Sequence, residues 1–259
     1  MTRDFSFVTR RGHFSFFICH LSLLLSLVAC TTPPSPTPVT LRIETTDLTA
    51  PLLFDLAAAY HDLNPDIDLV SDVVPLSTLS ADLAAGRADV GLAVTRNPNR
   101  FATPLGYVSF VVVVNPANPL TGLSVAQVRE IFSGRVNDWG QVGGPSGGIQ
   151  VVSREKGSDA GITFETSALL GASPTSNALV APTWAAMREI VSQNLNTIGY
   201  LPLPELEATV QPIGLDSELR ALIVALAPSE PTGLARDFLV WAQSEEGQRV
   251  VGKRYERVK

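Results

Sequence analysis

The sequence predicts an α/β protein of two lobes, in which the second lobe is inserted into the first. Apolar strand patterns alternate with helical patterns over residues 41–94, and this order favours parallel strands covered by helices. A second set of elements fills residues 115–197. Buried-strand patterns at residues 110–114 and 198–201 flank this insert. They therefore predict two crossings of the chain between the lobes.

The first lobe is predicted to begin as strand, helix, strand, helix, strand. The three predicted strands cover residues 41–45, 67–73 and 88–94. Between the first two, Thr49 as N-cap and Pro51 in the first turn predict a helix. Between the next two, Ser77 or Thr78 begins a second helix, which ends at Gly86.

The second lobe begins with a helix whose start is marked by Ser124 and Gln127, the spacing of a capping box. The remaining predicted elements are a glycine-rich loop (140–148), strands at 149–152, 198–201 and 219–226, helices at about 160–170 and 183–192, and a terminal helical region (233–251) broken near Gly247. Lobe I then comprises residues 40–114 and 198–259, and lobe II residues 115–197. This plan predicts a clamshell that holds its ligand between the lobes, at the carboxyl ends of strands.

The first 29 residues have the features of a secretory signal peptide. Arginines precede an apolar stretch that is too short to span a membrane comfortably. The stretch ends in Leu27-Val28-Ala29-Cys30, which resembles a bacterial lipobox. The resemblance implies cleavage before Cys30, a lipid on its thiol, and an extracytoplasmic protein anchored to the membrane. Residues 30–39, rich in proline and threonine, predict an extended spacer.

Composition excludes several classes of function. The signal peptide has three arginines and one aspartate, so the net charge of −6 for the whole chain becomes −8 for the rest. An acidic chain argues against a nucleic-acid partner. Beyond the signal peptide, Cys30 is the only cysteine and His61 the only histidine. Disulfides, Cys/His zinc clusters and a cysteine nucleophile are thereby excluded, and we expect no metal, no cofactor and no catalysis.

The strand at residues 149–152 leads into a polar loop, Ser153-Arg154-Glu155-Lys156-Gly157-Ser158-Asp159, and then into a helix. The free backbone N–H groups and the positive dipole end of a helix N-terminus favour an anion at such a loop. Arg154 adds a planar donor of fixed charge. The segment therefore predicts an anion-binding site.

Several motifs resemble the periplasmic phosphate-binding proteins of bacterial phosphate ABC transporters, over nearly all of the chain beyond the spacer. They lie, in the family's order, at residues 46–51 (TDLTAP), 86–91 (GRADVG), 113–119 (VVNPANP), 131–134 with 137–139 (IFSG, NDW), 154–158 (REKGS), 198–200 (IGY) and 246–248 (EGQ). The resemblance implies a type II periplasmic-binding-protein clamshell with a two-strand hinge. It also implies a monomer that binds a small oxyanion, most of all phosphate, and an ABC permease as partner.

The resemblance also implies a set of ligand contacts. Arg154 and Ser158 match the family's arginine and serine, Ser77 or Thr78 lies near a hydroxyl ligand, and Val94 or Thr95 lies near a polar one. The full candidate set is Asp47, Leu48, Ser77, Thr95, Arg96, Arg154, Gly157, Ser158 and Asp159.

Two carboxylates depart from the family's pattern. Asp47 stands where the family has a hydroxyl residue, and Asp159-Ala160 replaces glycine and threonine. A carboxylate about 4 Å from a bound anion repels it by about 1 kcal/mol or more. Each aspartate therefore needs protonation, an outward pose or a cationic neighbour: Arg96, Arg154 or Lys156. Asp159 has an alternative role as a helix cap, and Arg154 an alternative ion pair with Glu155 or Asp159 on the surface.

Two other functions remain open at the level of sequence. A binding or sensor module of the same fold could take a different anion or a small metabolite without serving phosphate uptake. A metal-dependent surface hydrolase could use Asp47, Asp89 and Asp159 as ligands.

Overall fold

The computed structural model of the protein describes residues 39–94 and 100–258. The predicted signal peptide, the lipidation site Cys30, residues 30–38 of the spacer and the candidates Thr95 and Arg96 lie outside these residues. The strands are β1 Val39–Thr45, β2 Ile67–Val73, β3 Val90–Ala93, β4 Phe101–Val114, β5 Gly122–Leu123, β6 Gln150–Ser153, β7 Leu179–Val180, β8 Thr197–Pro202, β9 Gln211–Leu215, β10 Leu219–Ala227 and β11 Glu256–Arg257. The helices are α1 Ala50–Leu63, α2 Leu76–Ala85, α3 Val125–Phe132, α4 Asp159–Leu169, α5 Trp184–Gln193, α6 Gly233–Ala242 and α7 Glu245–Val251.

The strands form a continuous mixed sheet in the order β2-β1-β3-β10-β4-β8-β6-β7. At one end β1 pairs in parallel with β2 and β3, and at the other β6 pairs in parallel with β7 and β8. Antiparallel pairs of β10 and β8 with β4 join the two parallel ends. The alternation of strands and helices therefore predicted the α/β class and the parallel first strands correctly.

Local signals placed most helix starts correctly. Ser124 and Gln127 form the predicted capping box at the start of α3. Gly86 ends α2 with a φ of 66°, a left-handed conformation that glycine adopts at little cost. Thr49 does occupy the N-cap position of α1, but its hydroxyl makes no cap hydrogen bond and instead donates to the carbonyl of Leu92 at 3.0 Å. The hydroxyl therefore joins the loop after β1 to β3.

Strand β4 begins at Phe101, well before the predicted start at residue 110. Pro104 and Gly106 obscure the pattern, because both residues normally weaken a strand. Opposite them the register of β10 shifts between Ile223 and Val224, so the irregularity is absorbed locally. A Cβ on Gly106 would lie 2.9 Å from the carbonyl oxygen of Glu256, which shows why only glycine fits beneath β11.

The terminal helical region is broken near Gly247 as predicted, at residues 243–244. Ser244 separates α6 from α7 and accepts a hydrogen bond from the N–H of Gly247 at 3.3 Å. Gly247 is the third residue of α7, where a Cβ would overlap the backbone of Trp241 and Ala242. This glycine therefore serves the close packing of α7 on the end of α6. Within the described part of the chain, no helix is both long enough and apolar enough to span a membrane.

A cluster of aromatic side chains anchors α4, the helix that follows the predicted anion loop. Phe164 of α4 stacks on Tyr200 of β8, with ring centroids 3.6 Å apart and planes at 1°. Phe132 of α3 lies 4.9 Å from Phe164, and Phe110 of β4 lies 6.3 Å away. Phe132 and Phe164 are fully buried. The cluster fixes the position of α4, and so the direction of its N-terminus.

Candidate functional site

A cavity of about 590 Å³ opens where three segments meet. Its lining comprises Thr46 and Asp47 after β1, residues 73–77 at the start of α2, and residues 154–159 between β6 and α4, with Pro182. Of the nine candidate residues, it brings together Asp47, Ser77, Arg154, Gly157, Ser158 and Asp159. Leu48 does not line the cavity; it is buried in the core.

Arg154 is held in one orientation by groups on several elements. Its side chain is 5% exposed and forms an ion pair with Asp47 across the cavity. Its Nη1 donates to the carbonyl of Ala181 at 2.8 Å, and the guanidinium lies 4.5 Å from the ring centroid of Trp184. The backbone N–H donates to the hydroxyl of Tyr200 at 3.2 Å. A guanidinium that is fixed in this way is a preorganised anion contact.

Asp47 is the acidic partner of Arg154, so the alternative of a surface pair with Glu155 or Asp159 is wrong. Burial raises the pKa of Asp47 above its ordinary value. The positive charge of Arg154 opposes this shift, the negative charge of Asp159 adds to it, and a backbone hydrogen bond from Leu48 lowers it. Leu48 thus directs its N–H group toward the Asp47 carboxylate.

Asp159 is 1% exposed and begins α4. Its Oδ2 accepts hydrogen bonds from the hydroxyl of Thr46 at 2.8 Å and from the backbone N–H of Val94 at 2.9 Å. The helix cap is Ser158, so the alternative role of Asp159 as the cap is wrong. The carboxylate lies in the first turn, where the helix dipole stabilises negative charge.

Ser158 faces the cavity, but its hydroxyl is engaged locally. It accepts from the N–H of Gly161 at 3.1 Å as the cap of α4, and it donates to the carbonyl of Glu155 at 2.6 Å. A hydroxyl has one hydrogen to donate, so donation to a ligand requires this second bond to break. Gly157 has a φ of 83°, which suits glycine, and Ser77 is exposed in the first turn of α2.

Thr46 lines the cavity but was not among the candidates predicted from the sequence. Its hydroxyl lies 3.2 Å from that of Thr49, which in turn lies 2.8 Å from the hydroxyl of Thr45. All three threonines are buried at the carboxyl end of β1. The available signal was a pair of threonines, Thr45 and Thr46, at the end of an apolar strand, the position where ligand contacts of α/β sheets gather.

The hydrolase alternative needs three carboxylates around one metal ion. In the described part of the chain, no group of three or more His, Cys, Asp and Glu side chains is placed to hold a metal. Asp89 does not line the cavity, and its carboxylate accepts from the backbone N–H of Arg42 at 2.8 Å. The three aspartates therefore do not form the site that this alternative requires.

The sheet consists of two parallel parts joined by antiparallel strands, and a cavity with polar groups lies at the strand ends. This arrangement is typical of the two-lobed binding proteins. The chain belongs to the PBP superfamily, because the family model for the PBP superfamily domain matches residues 31–219. The type II periplasmic-binding-protein fold predicted from the sequence is confirmed.

The phosphate-binding protein PstS of Bacillus subtilis is 24% identical over 238 residues, which cover 82% of this chain and 77% of that protein. A structure from Clostridium perfringens with bound phosphate, assigned as a phosphate ABC transporter substrate-binding protein, superposes with a TM-score of 0.77 at 21% identity. An ABC-type phosphate transport receptor from Vibrio cholerae gives 0.73 at 22% identity. Both structures match 85% of this chain and are matched over their full length.

Proposed function

We propose that this protein captures phosphate outside the cytoplasm and delivers it to an ABC permease, without catalysis. The observation on which this proposal depends is a cavity that joins a buried, fixed arginine to the N-terminus of a helix. Arg154 supplies positive charge, and the first turn of α4 supplies N–H groups and a favourable dipole. The relatives described as phosphate-binding proteins make phosphate the first ligand to test.

Capture is proposed to occur by closure of two lobes, lobe I (residues 40–114 and 198–259) and lobe II (residues 115–197). With these proposed bounds, the lining of the cavity comes from both lobes: Thr46, Asp47 and Ser77 from lobe I, and the loop 154–159 from lobe II. The antiparallel pair of β4 and β8 is proposed as the crossing between the lobes. The protein is proposed to act as a monomer, held to the membrane by a lipid on Cys30.

The second candidate function is a binding or sensor protein for a different anion or a small metabolite. The specific observation in its favour is the pair of carboxylates at the cavity, Asp47 and Asp159. A closed cleft with fixed negative charge penalises a dianion more than a monoanion or a neutral ligand.

Isothermal titration calorimetry of the purified protein distinguishes the two candidates. We expect saturable heat with phosphate, and little or no heat with sulfate, tungstate or small carboxylates at the same concentrations. A binding free energy of about −4 kcal/mol, which corresponds to a dissociation constant of about 1 mM, would still give a heat signal. Absence of heat with phosphate up to about 1 mM therefore contradicts the proposal. Saturable binding of another anion in its place supports the second candidate.

A further inference from the structure

The carboxylate of Asp159 lies where donors from separate elements converge. Thr46 follows β1 and Val94 follows β3, and both donate to the same oxygen, Oδ2, at 2.8 and 2.9 Å. The side chain itself emerges from the first turn of α4. The residue is 1% exposed, so the contact excludes water. An intramolecular anion therefore occupies this meeting point of two strand ends and a helix N-terminus.

These donors are the groups that a small oxyanion requires. A hydroxyl, a backbone N–H at a strand end and a helix N-terminus form charge-assisted hydrogen bonds with phosphate or carboxylate alike. The guanidinium of Arg154 is engaged in the same way, by the carboxylate of Asp47. The carboxylates of Asp159 and Asp47 thus occupy donors that a bound oxyanion would otherwise use.

The charges that line the cavity also disfavour a bound anion. Three carboxylates, those of Asp47, Glu155 and Asp159, line it together with two cations, Arg154 and Lys156. Among the residues that the structure describes, the ionised side chains of the lining therefore sum to −1 before any ligand enters. A phosphate dianion would meet less repulsion from these described side chains if one carboxylate moved away.

We propose that Asp159 is an internal competitor of the oxyanion at this site. Its carboxylate holds the donors of Thr46 and Val94 in the absence of ligand and withdraws when phosphate enters. The apparent dissociation constant is then the intrinsic constant divided by the fraction of molecules in which the carboxylate has withdrawn. Asp159 therefore sets the concentration range over which the site fills. This inference rests on the proposed function, since it assumes an oxyanion as ligand.

The test compares phosphate binding by the wild-type protein, Asp159→Ala, Asp159→Asn and Glu165→Gln, measured by calorimetry. Asp159→Ala removes the competitor, and we expect it to bind phosphate about tenfold more tightly or better. Asp159→Asn removes the charge but keeps an oxygen for Thr46 and Val94, so an intermediate gain is expected. Glu165→Gln deletes one negative charge on the same helix outside the cavity, and it should bind like the wild type.

Thermal melting with and without phosphate checks that each variant folds. Without ligand, Asp159→Ala should melt at a lower temperature than the wild type, because the donors lose their acceptor. Phosphate should then raise its melting temperature more than it raises that of the wild type. Should Asp159→Ala fail to fold, Asp159→Asn alone decides the question.

The outcomes separate this inference from the proposed function. Tighter binding by the Asp159 variants supports the inference, whether or not the wild type binds phosphate measurably. A wild type that shows no measurable phosphate binding would overturn only the proposed function. Equal or weaker binding by the variants, beside a wild type that binds, overturns the inference and leaves the function standing. If neither wild type nor variants bind, both are overturned.

Discussion

Replacing Arg154 by alanine is expected to weaken phosphate binding about a hundredfold, since a lost hydrogen bond to a charged group costs about 1.5–3 kcal/mol and a guanidinium makes more than one. Its side chain is buried, and the carbonyl of Ala181 and the ring of Trp184 fix its position. Lysine should rescue little of the loss, because a point charge does not reproduce the planar fork. Calorimetry with phosphate measures both variants.

The loss in Arg154→Ala has two sources, which a double variant separates. The single substitution leaves the carboxylate of Asp47 without its cation, and that charge would repel phosphate. Arg154→Ala with Asp47→Asn removes both charges, so the loss that remains reports the contact of the guanidinium itself. Arg135→Ala is the matched control, because Arg135 pairs with Glu130 on the surface and should change binding and stability little. Wild-type phosphate affinity in Arg154→Ala would contradict the assigned site.

The second large effect is expected on stability. Phe164→Ala should lower the free energy of unfolding by about 3–5 kcal/mol, the usual cost of removing a buried phenylalanine ring. Phe164 is fully buried, stacks on Tyr200 and contacts Phe132. The cavity left by alanine would lie directly beneath α4. Denaturant unfolding of the wild type and the variant measures the difference.

Phe54→Ala provides the control for this measurement. Phe54 lies on α1 and is 50% exposed, so its truncation removes far less buried surface. A change of less than about 1 kcal/mol is expected there. A similarly small change in Phe164→Ala would show that the aromatic cluster does not hold α4 in place. Phe164→Leu, which preserves most of the volume, should fall between the two.

Local signals in the sequence were enough to predict the first five elements. The strand patterns ended at turn residues, and Gly86 marked the end of α2 directly. Further along the chain, the capping box of Ser124 marked the start of α3. The short strands β5, β7, β9 and β11 were missed. β5, β7 and β11 have two residues each, too few to show a period, and Pro212 and Gly214 obscure the pattern of β9.

The site could be predicted only in part, for a similar reason. The loop from Arg154 to Asp159 was recognisable because strand, loop and helix follow one another in the chain. The contacts of Asp159 were not, since Thr46 lies 113 residues and Val94 65 residues away. The partner of Arg154 had two local alternatives, Glu155 and Asp159, and tertiary packing placed Asp47 there in their stead. Side chains that meet across a cleft leave no local pattern.

Phosphate is proposed to bind in the cavity between the loop after β1 and the N-terminus of α4. A crystal structure of the protein grown with phosphate tests this claim most directly. We expect phosphate density within hydrogen-bonding distance of the Arg154 guanidinium and the first N–H groups of α4, with the carboxylate of Asp159 turned away from Thr46. An empty cavity in a crystal saturated with phosphate, or phosphate bound elsewhere on the protein, would contradict it.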